Sequence, residues 1–275
     1  MKRSMLNFIS RFLFYAGMIV TSQSAIAGNE QVWIFAGLPG DPEHHTVFEK
    51  TLGEIKTSLV NRFDVKPENC RVYYGPKSAG YEGEASRENI LAAIAEITAT
   101  TKSSPDVPQW IIFIGHANGI RGGAQVNLPG PDLTSMDLGA ALADCNPAAP
   151  MTLIFTHTAS APFLRPLAMP GRVVITASSP KDVENETEFP LALVDVLANP
   201  AADANKDGKL DATEIFLATH EAVLGRYKSQ GLIVKEAALL DGDGDGYGTQ
   251  RPAEVDAAAA TKHFLTLTTR AKGLD

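Results

Sequence analysis

Five short apolar runs divide the chain from residue 32 onward, and longer segments with helical spacing separate them. The runs are the candidate strands, at residues 32–38 (VWIFAGL), 71–75 (RVYYG), 110–116 (WIIFIGH), 151–156 (MTLIFT) and 172–177 (RVVITA). They rarely alternate polar and apolar positions, which is typical of parallel strands that helices cover on both faces. The pattern therefore predicts an α/β fold with a doubly wound, mainly parallel sheet flanked by helices.

The segments between the runs carry helix signals. Apolar residues recur at helical spacing through residues 45–63, and Ser86 is placed to cap the helix that follows it. Thr134 and Asp137 form a capping-box variant, with Asp in place of Glu, at the start of a third helix. Strand–helix alternation of this kind places a ligand site outside the carboxyl ends of the strands.

That rule directs attention to the segments that follow Leu38, Ile114 and Thr156. The first, GLPGDPEHH, has neither the lysine of a Walker loop nor GxGxxG spacing, so nucleotide binding is not indicated. The second is a glycine-rich loop to Pro131. The third lies within LIFTHTASAPF, where a buried strand runs into a small-residue turn, a place where many hydrolases put a nucleophile.

Residues 1–27 have the organisation of a secretory signal. A basic start, MKRSMLNFISR, precedes the apolar run FLFYAGMIV, and Ala25-Ile26-Ala27 supplies the small-x-small cleavage pattern. We expect a bacterial protein that is periplasmic or secreted, with its folded domain in residues 28–275. The apolar run is shorter than the ~20 residues that a membrane-spanning helix needs, so we expect no membrane span after cleavage. The alternative is an uncleaved amphipathic anchor.

Charge limits the classes of partner. The formal net charge is −8, and removal of Lys2, Arg3 and Arg11 with the signal would leave 21 basic against 32 acidic residues, or −11. Nucleic acid is not an expected partner, because phosphate binding calls for a clustered basic face. Cys70 and Cys145 each precede a predicted strand, and the strand order inferred below separates those strands by two others. We expect two separate thiols.

The segment DANKDGKLDATE, residues 203–214, matches a twelve-residue calcium loop. Gly208 allows the sharp turn, and oxygen donors occupy every liganding position: Asp203, Asn205, Asp207, Lys209 through its carbonyl, Asp211 and Glu214. A hard dication needs about seven oxygens, which alternate residues of a curled loop supply. Because Pro200 interrupts the usual entering helix, the pattern predicts a single structural Ca²⁺ site rather than a paired sensor. An acidic helix-capping loop without metal is the alternative.

The segment DGDGDGYG, residues 241–248, repeats the first half of the same pattern, with alternating carboxylates at Asp241, Asp243 and Asp245. Its twelfth position falls on Pro252, whose side chain cannot ligate a metal. The loop holds a cation only with help from Glu254, Asp256 or another segment, and a plain acidic turn is the alternative interpretation.

The order of these segments suggests a family. WIIFIGHANG, then LIFTHTASAPFLRPLAMPGRVVITASS, resembles the core of the legumain and caspase-like cysteine peptidases, and is most similar to exported bacterial legumain-like proteins. In that family one strand ends in His-Gly and the next ends in the catalytic cysteine. The resemblance implies a caspase-like sheet, a peptide ligand, His116 as the general base, and Thr158 at the place of the cysteine.

Two departures from the family pattern bear on activity. Ala117 replaces the glycine after the histidine, and Thr158 replaces the cysteine. A threonine hydroxyl is a far weaker acid than a thiol, and an internal threonine has no terminal amine to act as its base, so the Cys-His mechanism is excluded. Ser160 is the other candidate nucleophile. We expect it to be more accessible than Thr158, although no orienting acid can be named for it. The alternative interpretation is that each hydroxyl belongs to a loop residue that caps a strand end.

The sequence therefore predicts a degenerate peptidase site. The expected function is noncatalytic binding or scaffolding of a peptide or protein ligand. The rival is a hydrolase of altered mechanism that uses Ser160 or Thr158 with His116, and a third possibility is a calcium-responsive interaction module.

The histidines raise the question of zinc. In the family's strand order the strands that end near His45, His116 and His157 are neighbours, so three imidazoles could converge on Zn²⁺. Strand alternation, however, sends His157 and Thr158 to opposite faces of the sheet. The pattern therefore disfavours zinc and leaves Ca²⁺ as the expected cofactor.

Overall fold

The computed structural model describes residues 28–75, 80–179 and 186–268, and the predicted signal sequence lies outside them. In these three ranges, every helix is too short or too polar to cross a lipid bilayer.

The described residues form twelve strands and seven α-helices. The strands are β1 Gln31–Ala36, β2 Cys70–Tyr74, β3 Gly83–Glu84, β4 Gln109–Ile114, β5 Ala117–Ile120, β6 Gly123–Val126, β7 Leu133–Thr134, β8 Met151–Phe155, β9 Arg172–Thr176, β10 Lys209–Asp211, β11 Leu239–Asp241 and β12 Phe264–Thr266. The helices are α1 Pro42–Arg62, α2 Arg87–Ser103, α3 Ser135–Leu142, α4 Leu164–Leu167, α5 Phe189–Ala198, α6 Ala212–Ser229 and α7 Glu254–Ala260.

Seven strands form the central sheet in the order β11-β9-β8-β4-β1-β2-β3. Every neighbouring pair is parallel except β11, which runs antiparallel to β9 at the edge. The five predicted strands all lie in this sheet, which confirms the mainly parallel α/β fold. All five end earlier than predicted, by two residues in β1 and β4 and by one residue in β2, β8 and β9.

Both faces of the sheet are covered, which explains the continuous apolar runs. Along β1, Val32, Ile34 and Ala36 belong to a core shared with α1, α5 and α6. Trp33 and Phe35 point to the opposite core, against α2 and α3. Since alternate side chains of a strand face opposite sides, a strand buried on both sides must be apolar at nearly every position.

The helix caps follow the sequence signals, with one shift. Ser86 accepts a hydrogen bond from the Asn89 amide at the start of α2, and Thr134 with Asp137 forms a reciprocal capping box on α3. Helix α1 begins at Pro42, three residues before the predicted start, because Asp41 caps it and a proline is favoured in the first turn. This shift decides which histidine of α1 faces the strand ends.

Two further predictions can be compared with the structure. Cys70 and Cys145 are buried and unbridged, and two strands separate β2 from β8 as expected. The glycine-rich loop expected between residues 117 and 131 is instead largely ordered, because β5, β6 and β7 pair as an antiparallel sheet. The loop prediction was wrong because glycines interrupt the apolar alternation that marks a strand.

Candidate functional site

The carboxyl ends of β1, β4 and β8 lie side by side and form the edge where the candidate residues meet. Gly115 ends β4 with φ of 134°, and a Cβ at this position would lie 3.2 Å from the Gly37 amide nitrogen. Only glycine accommodates both the dihedral angle and the close approach without strain. The turn places His116 directly at this edge of the sheet.

His116 is held by its surroundings rather than by a nucleophile. Its Nε2 lies 3.1 Å from the Pro39 carbonyl oxygen, so Nε2–H is the donor of that hydrogen bond. Its ring contacts Phe48, with centroids 5.5 Å apart, and meets the His44 ring edge-on at 5.1 Å. The half-buried ring is thus oriented by three residues that come after β1.

Thr158, the residue that the resemblance puts at the place of the cysteine, is half-buried just beyond β8. Its hydroxyl donates a long hydrogen bond of 3.5 Å to the Ala117 carbonyl. The next residue, Ala159, has φ of 51°, in the left-handed region that favours glycine. The chain therefore turns sharply after Thr158, and its hydroxyl spans the gap between the ends of β4 and β8.

Ser160 is fully buried. Its hydroxyl lies 3.0 Å from the Ser178 hydroxyl, and each serine also accepts a hydrogen bond from the other's backbone amide. The expectation that Ser160 has better access than Thr158 was wrong, because the residues after Ala159 turn into the protein instead of toward solvent. This serine pair connects the segments that follow β8 and β9.

The two hydroxyls and the candidate base are not arranged as a catalytic dyad. Among the hydrogen bonds of the described residues, neither Thr158 Oγ1 nor Ser160 Oγ is bonded to His116. Nucleophilic catalysis requires the base within hydrogen-bond reach of the nucleophile. The three residues share one edge of the sheet, but each has another partner.

His157 is buried between Phe155 and Phe163. Its Nδ1–H donates to the Thr158 carbonyl at 2.7 Å, and its Nε2 has no hydrogen-bond partner among the described residues. Burial lowers its pKa to about 4, against the hydrogen bond to Thr158, because the charged ring would be desolvated. The ring is therefore a neutral core side chain at neutral pH.

The three histidines that were considered as zinc ligands and disfavoured, His45, His116 and His157, are not brought together within the described ranges. His45 bonds the Tyr74 hydroxyl and lies 3.7 Å from Glu49. The structure instead groups His44 with His116, because α1 begins earlier than predicted and successive helical residues point about 100° apart.

His44 lies between two carboxylates. Its Nδ1 is 2.7 Å from Asp41 Oδ2, and its Nε2 is 2.6 Å from Glu186 Oε1. The hydrogen bond to Asp41 raises the pKa of His44 against partial desolvation, and the charge of Glu186 raises it further. Hydrogen bonds from the backbone amide and then the ring of His44 lower the pKa of Asp41.

The first acidic loop, residues 203–214, is folded around inward-facing oxygens. Asp203 accepts from the Asp207 and Gly208 amides, and Glu214 accepts from the Ala204 and Asn205 amides. Its residues 209–211 form β10, which pairs with β12 and not with the second acidic loop. Helix α6 begins within the loop, at Ala212.

Asp211 and Glu214 form a reciprocal capping box at the start of α6. Burial, opposed by the hydrogen bond from the Glu214 amide, raises the pKa of Asp211, and the charges of Glu214 and Asp207 raise it further. Both the capping interpretation and the calcium interpretation are compatible with this arrangement.

In the second acidic loop, Asp256 joins the predicted carboxylates. Oxygens of Asp241, Asp243 and Asp256 lie within 4.8 Å of one another, whereas Asp245 is outside this group. Burial raises the pKa of Asp241 to about 6, partly offset by backbone hydrogen bonds, and the charges of Asp245 and Asp243 contribute. Asp256, one of the residues considered as a helper for this loop, thus adds a third carboxylate to it.

A cleft of about 680 Å³ lies beside this loop. Its walls come from the β5–β6 turn, the segment at α4, and the end of the second acidic loop: Gly122, Gly123, Met136, Ala161, Pro162, Leu164, Arg165, Pro166, Ser179, Leu239, Gly246, Tyr247 and Gly248. Arg165 is the only charged residue among them, and it stacks on and hydrogen-bonds Tyr247. The cleft is otherwise mostly apolar, and neither His116 nor Thr158 lines it.

Sequence reasoning missed His44, Glu186, Ser178 and Arg165. The segment GLPGDPEHH contained the signal for His44, since Asp41 and Pro42 mark a helix start that turns this residue toward the strand end. The other three had no motif, because their roles depend on contacts between segments that are distant along the chain.

Comparison with solved structures shows the fold. The chain is similar to the structure of pro-sf-caspase-1, with a TM-score of 0.50 and 10% identity over 87% of this chain and 94% of that one. A secreted C11 cysteine protease from Bacteroides thetaiotaomicron, in complex with an irreversible peptide inhibitor, gives a TM-score of 0.42 and 10% identity. The match covers 77% of this chain and 66% of the protease chain. Raptor from Chaetomium thermophilum gives a TM-score of 0.40 and 12% sequence identity. The match covers 63% of this chain and only 19% of the Raptor chain.

The likeness to the caspase shows that the α/β fold is caspase-like. At 10% identity it shows the fold alone. The family models and the curated proteins gave no match.

His157 should make stability depend on pH. Because its folded pKa of about 4 is below the ordinary 6.5, its contribution is complete above pH 6.5 and is lost as the pH falls toward 4. We expect the unfolding free energy of the native protein to fall about 2 kcal/mol more between pH 7.5 and 5 than that of His157→Asn, whose amide retains the donor to Thr158. Urea titrations at both pH values measure this difference. Burial also lowers the pKa of His263 to about 4, but both proteins contain this residue, so its effect cancels in the comparison. An equal loss of unfolding free energy in the two proteins between pH 7.5 and 5 would contradict the prediction.

Proposed function

We propose that this chain is an exported caspase-like protein that binds a peptide or protein segment without cleaving it, and that Ca²⁺ stabilises its C-terminal third. The main support for this proposal is that both candidate nucleophiles already have other hydrogen-bond partners. Ser160 is buried and committed to Ser178, and Thr158 is bonded to a backbone carbonyl, so His116 has no hydroxyl to deprotonate.

The chemistry of Thr158 adds to this argument. A threonine in place of cysteine loses the acidity that makes a thiolate available near neutral pH, and its methyl group hinders attack on a carbonyl. The Nε2–H of His116 already donates to Pro39, so that nitrogen is not free to accept a proton. A caspase-like sheet can keep its ligand cleft although the acyl-transfer chemistry is gone.

The cleft supports a peptide as the ligand. Its apolar walls fit an extended segment with hydrophobic side chains, and the turn of β5–β6 offers an exposed strand end on one side. Arg165 is held against Tyr247 at the wall, where its guanidinium can pair with a carboxylate. We infer a ligand that combines an apolar side chain with an acidic residue or a free carboxyl terminus.

Calcium is proposed from the two acidic loops. Each brings carboxylates together, and burial, with a further contribution from the neighbouring carboxylate charges, raises the pKa values of Asp211 and Asp241. A dication that bound either loop would neutralise these carboxylates and would add its binding free energy to folding. In the second loop, a Cβ at Gly244 would lie 2.0 Å from the Met169 carbonyl oxygen, so the loop is packed directly against the segment after α4. An ion there would hold one wall of the cleft.

Peptide cleavage separates this proposal from the rival hydrolase. We expect no hydrolysis of fluorogenic peptides that contain Asx or Arg residues, with or without Ca²⁺, because no nucleophile–base pair is formed. Turnover that disappears in His116→Ala and in Thr158→Ala or Ser160→Ala, and persists in His45→Ala, would establish the hydrolase instead. Thermal melting of each variant checks that it is folded.

Peptide binding tests the cleft. Selection from a random phage-displayed library should return peptides with an apolar residue near an Asp, a Glu or a free carboxyl terminus. The affinity of a synthetic peptide of this class, measured by calorimetry, should fall about 10-fold or more in Arg165→Ala, because a hydrogen bond to a charged group is lost. Lys102→Ala, at the exposed end of α2 and not among the residues that line the cleft, is the control. Equal effects of the two substitutions would place the ligand elsewhere.

Calcium removal should destabilise the protein. At a concentration 100 times the Kd, Ca²⁺ should add about 2.7 kcal/mol, which corresponds to a rise in Tm of roughly 5–10 °C for a domain of this size. Calorimetric scans with Ca²⁺ and with EDTA measure the shift. Glu214→Gln should reduce it, since an amide keeps the helix cap but loses the bidentate carboxylate, whereas the exposed Glu221→Gln should not. A Tm that does not respond to EDTA would refute the calcium proposal.

A further inference from the structure

We propose that His44, His116 and Glu186 form a binding site for one transition-metal ion of the Zn²⁺ class at the carboxyl edge of the sheet. This site is separate from the acidic loops, and it does not depend on the peptide-binding proposal.

Three distant segments supply the ligand atoms. His44 belongs to the first turn of α1, His116 follows β4, and Glu186 lies just before α5. One nitrogen of each ring and one oxygen of Glu186 lie within 4.8 Å of one another. In tetrahedral Zn²⁺ sites, with bonds of about 2.0–2.1 Å, donor atoms are about 3.3 Å apart, so only small side-chain movements would close the set around an ion.

The orientation of His44 is that of a metal ligand with its outer partner in place. Its Nδ1 is 2.7 Å from Asp41 Oδ2, and since a carboxylate accepts, Nδ1 carries the proton. The opposite nitrogen, Nε2, lies 2.6 Å from Glu186 Oε1, so in the metal-free protein its N–H donates to that carboxylate. When Nε2 loses this proton, its lone pair is directed at the position beside Glu186 that an ion would occupy. A carboxylate behind a ligating histidine sets the tautomer and raises the basicity of the ligating nitrogen.

His116 distinguishes a metal site from a plain ion pair. A protonated His44 could bridge Asp41 and Glu186 by itself, and a second imidazole 5.1 Å from its ring centre would add nothing to that bridge. A metal ion uses both imidazoles and the carboxylate. The Pro39 carbonyl and Phe48 hold the His116 ring at the edge that His44 faces.

The ligand chemistry selects the metal. Two imidazoles with one carboxylate suit Zn²⁺ and its neighbours, whereas the acidic loops offer the all-oxygen donors that Ca²⁺ prefers. Both histidines are half-buried and Glu186 is exposed, so an ion can reach the site from solvent. Three protein ligands leave a fourth position open for water or for a donor group of a bound ligand.

Calorimetry with Zn²⁺ tests the site on purified, metal-stripped protein in saturating Ca²⁺, which occupies oxygen-rich loops. We expect one Zn²⁺ per chain, and visible absorption bands when Co²⁺ is titrated instead. His44→Ala and His116→Ala should each weaken Zn²⁺ binding by more than the 10–100-fold expected for Asp41→Asn, since Asp41 is an outer partner and the histidines are ligands.

His45→Ala is the matched control. It removes the adjacent histidine, which bonds Tyr74 and not this cluster, and should leave Zn²⁺ affinity unchanged. Circular dichroism establishes that each variant is folded. Three results would each overturn the proposal: no Zn²⁺ binding by the unsubstituted protein, an equal loss in His45→Ala and His44→Ala, or displacement of Zn²⁺ by excess Ca²⁺.

Discussion

The parallel pairing of β1, β4 and β8 is the constraint on which the rest of this structure depends. Hydrogen bonds along the three strands fix their register, so that their carboxyl ends meet at one edge. Residues that follow each strand are therefore neighbours in space although they are far apart in sequence. Burial of both faces requires apolar side chains inside the sheet, which leaves polar chemistry to the residues just beyond the strand ends.

At that edge, each candidate residue has a structural partner. Ser160 and Ser178 link the turns after β8 and β9, Thr158 bridges to Ala117, and His116 is fixed by Pro39. These hydrogen bonds stabilise the turns, and none of them joins a hydroxyl to His116. His44 and Glu186 lie beside His116 at the same edge.

The C-terminal third adds oxygen-rich loops to this platform. The first leads directly into α6, and the second is packed against the segment after α4 and ends in a wall of the cleft. Because Tyr247 holds Arg165 through its ring and hydroxyl, the geometry of the second loop influences the only charged group among the described residues that line the cleft. Cation binding and ligand binding would in this way share a structural element.

The sequence by itself determined the five buried strands, the caps at Ser86 and Thr134, and the positions of both acidic loops, since these depend on local periodicity and spacing. It also indicated a caspase-like core through the residues around His116 and Thr158. Only the tertiary structure decided that Ser160 is buried, that His44 rather than His45 faces His116, and that Asp256 joins Asp241. Each of these depends on contacts between segments brought together by the sheet, and hydrophobic periodicity carries no information about such side-chain partners.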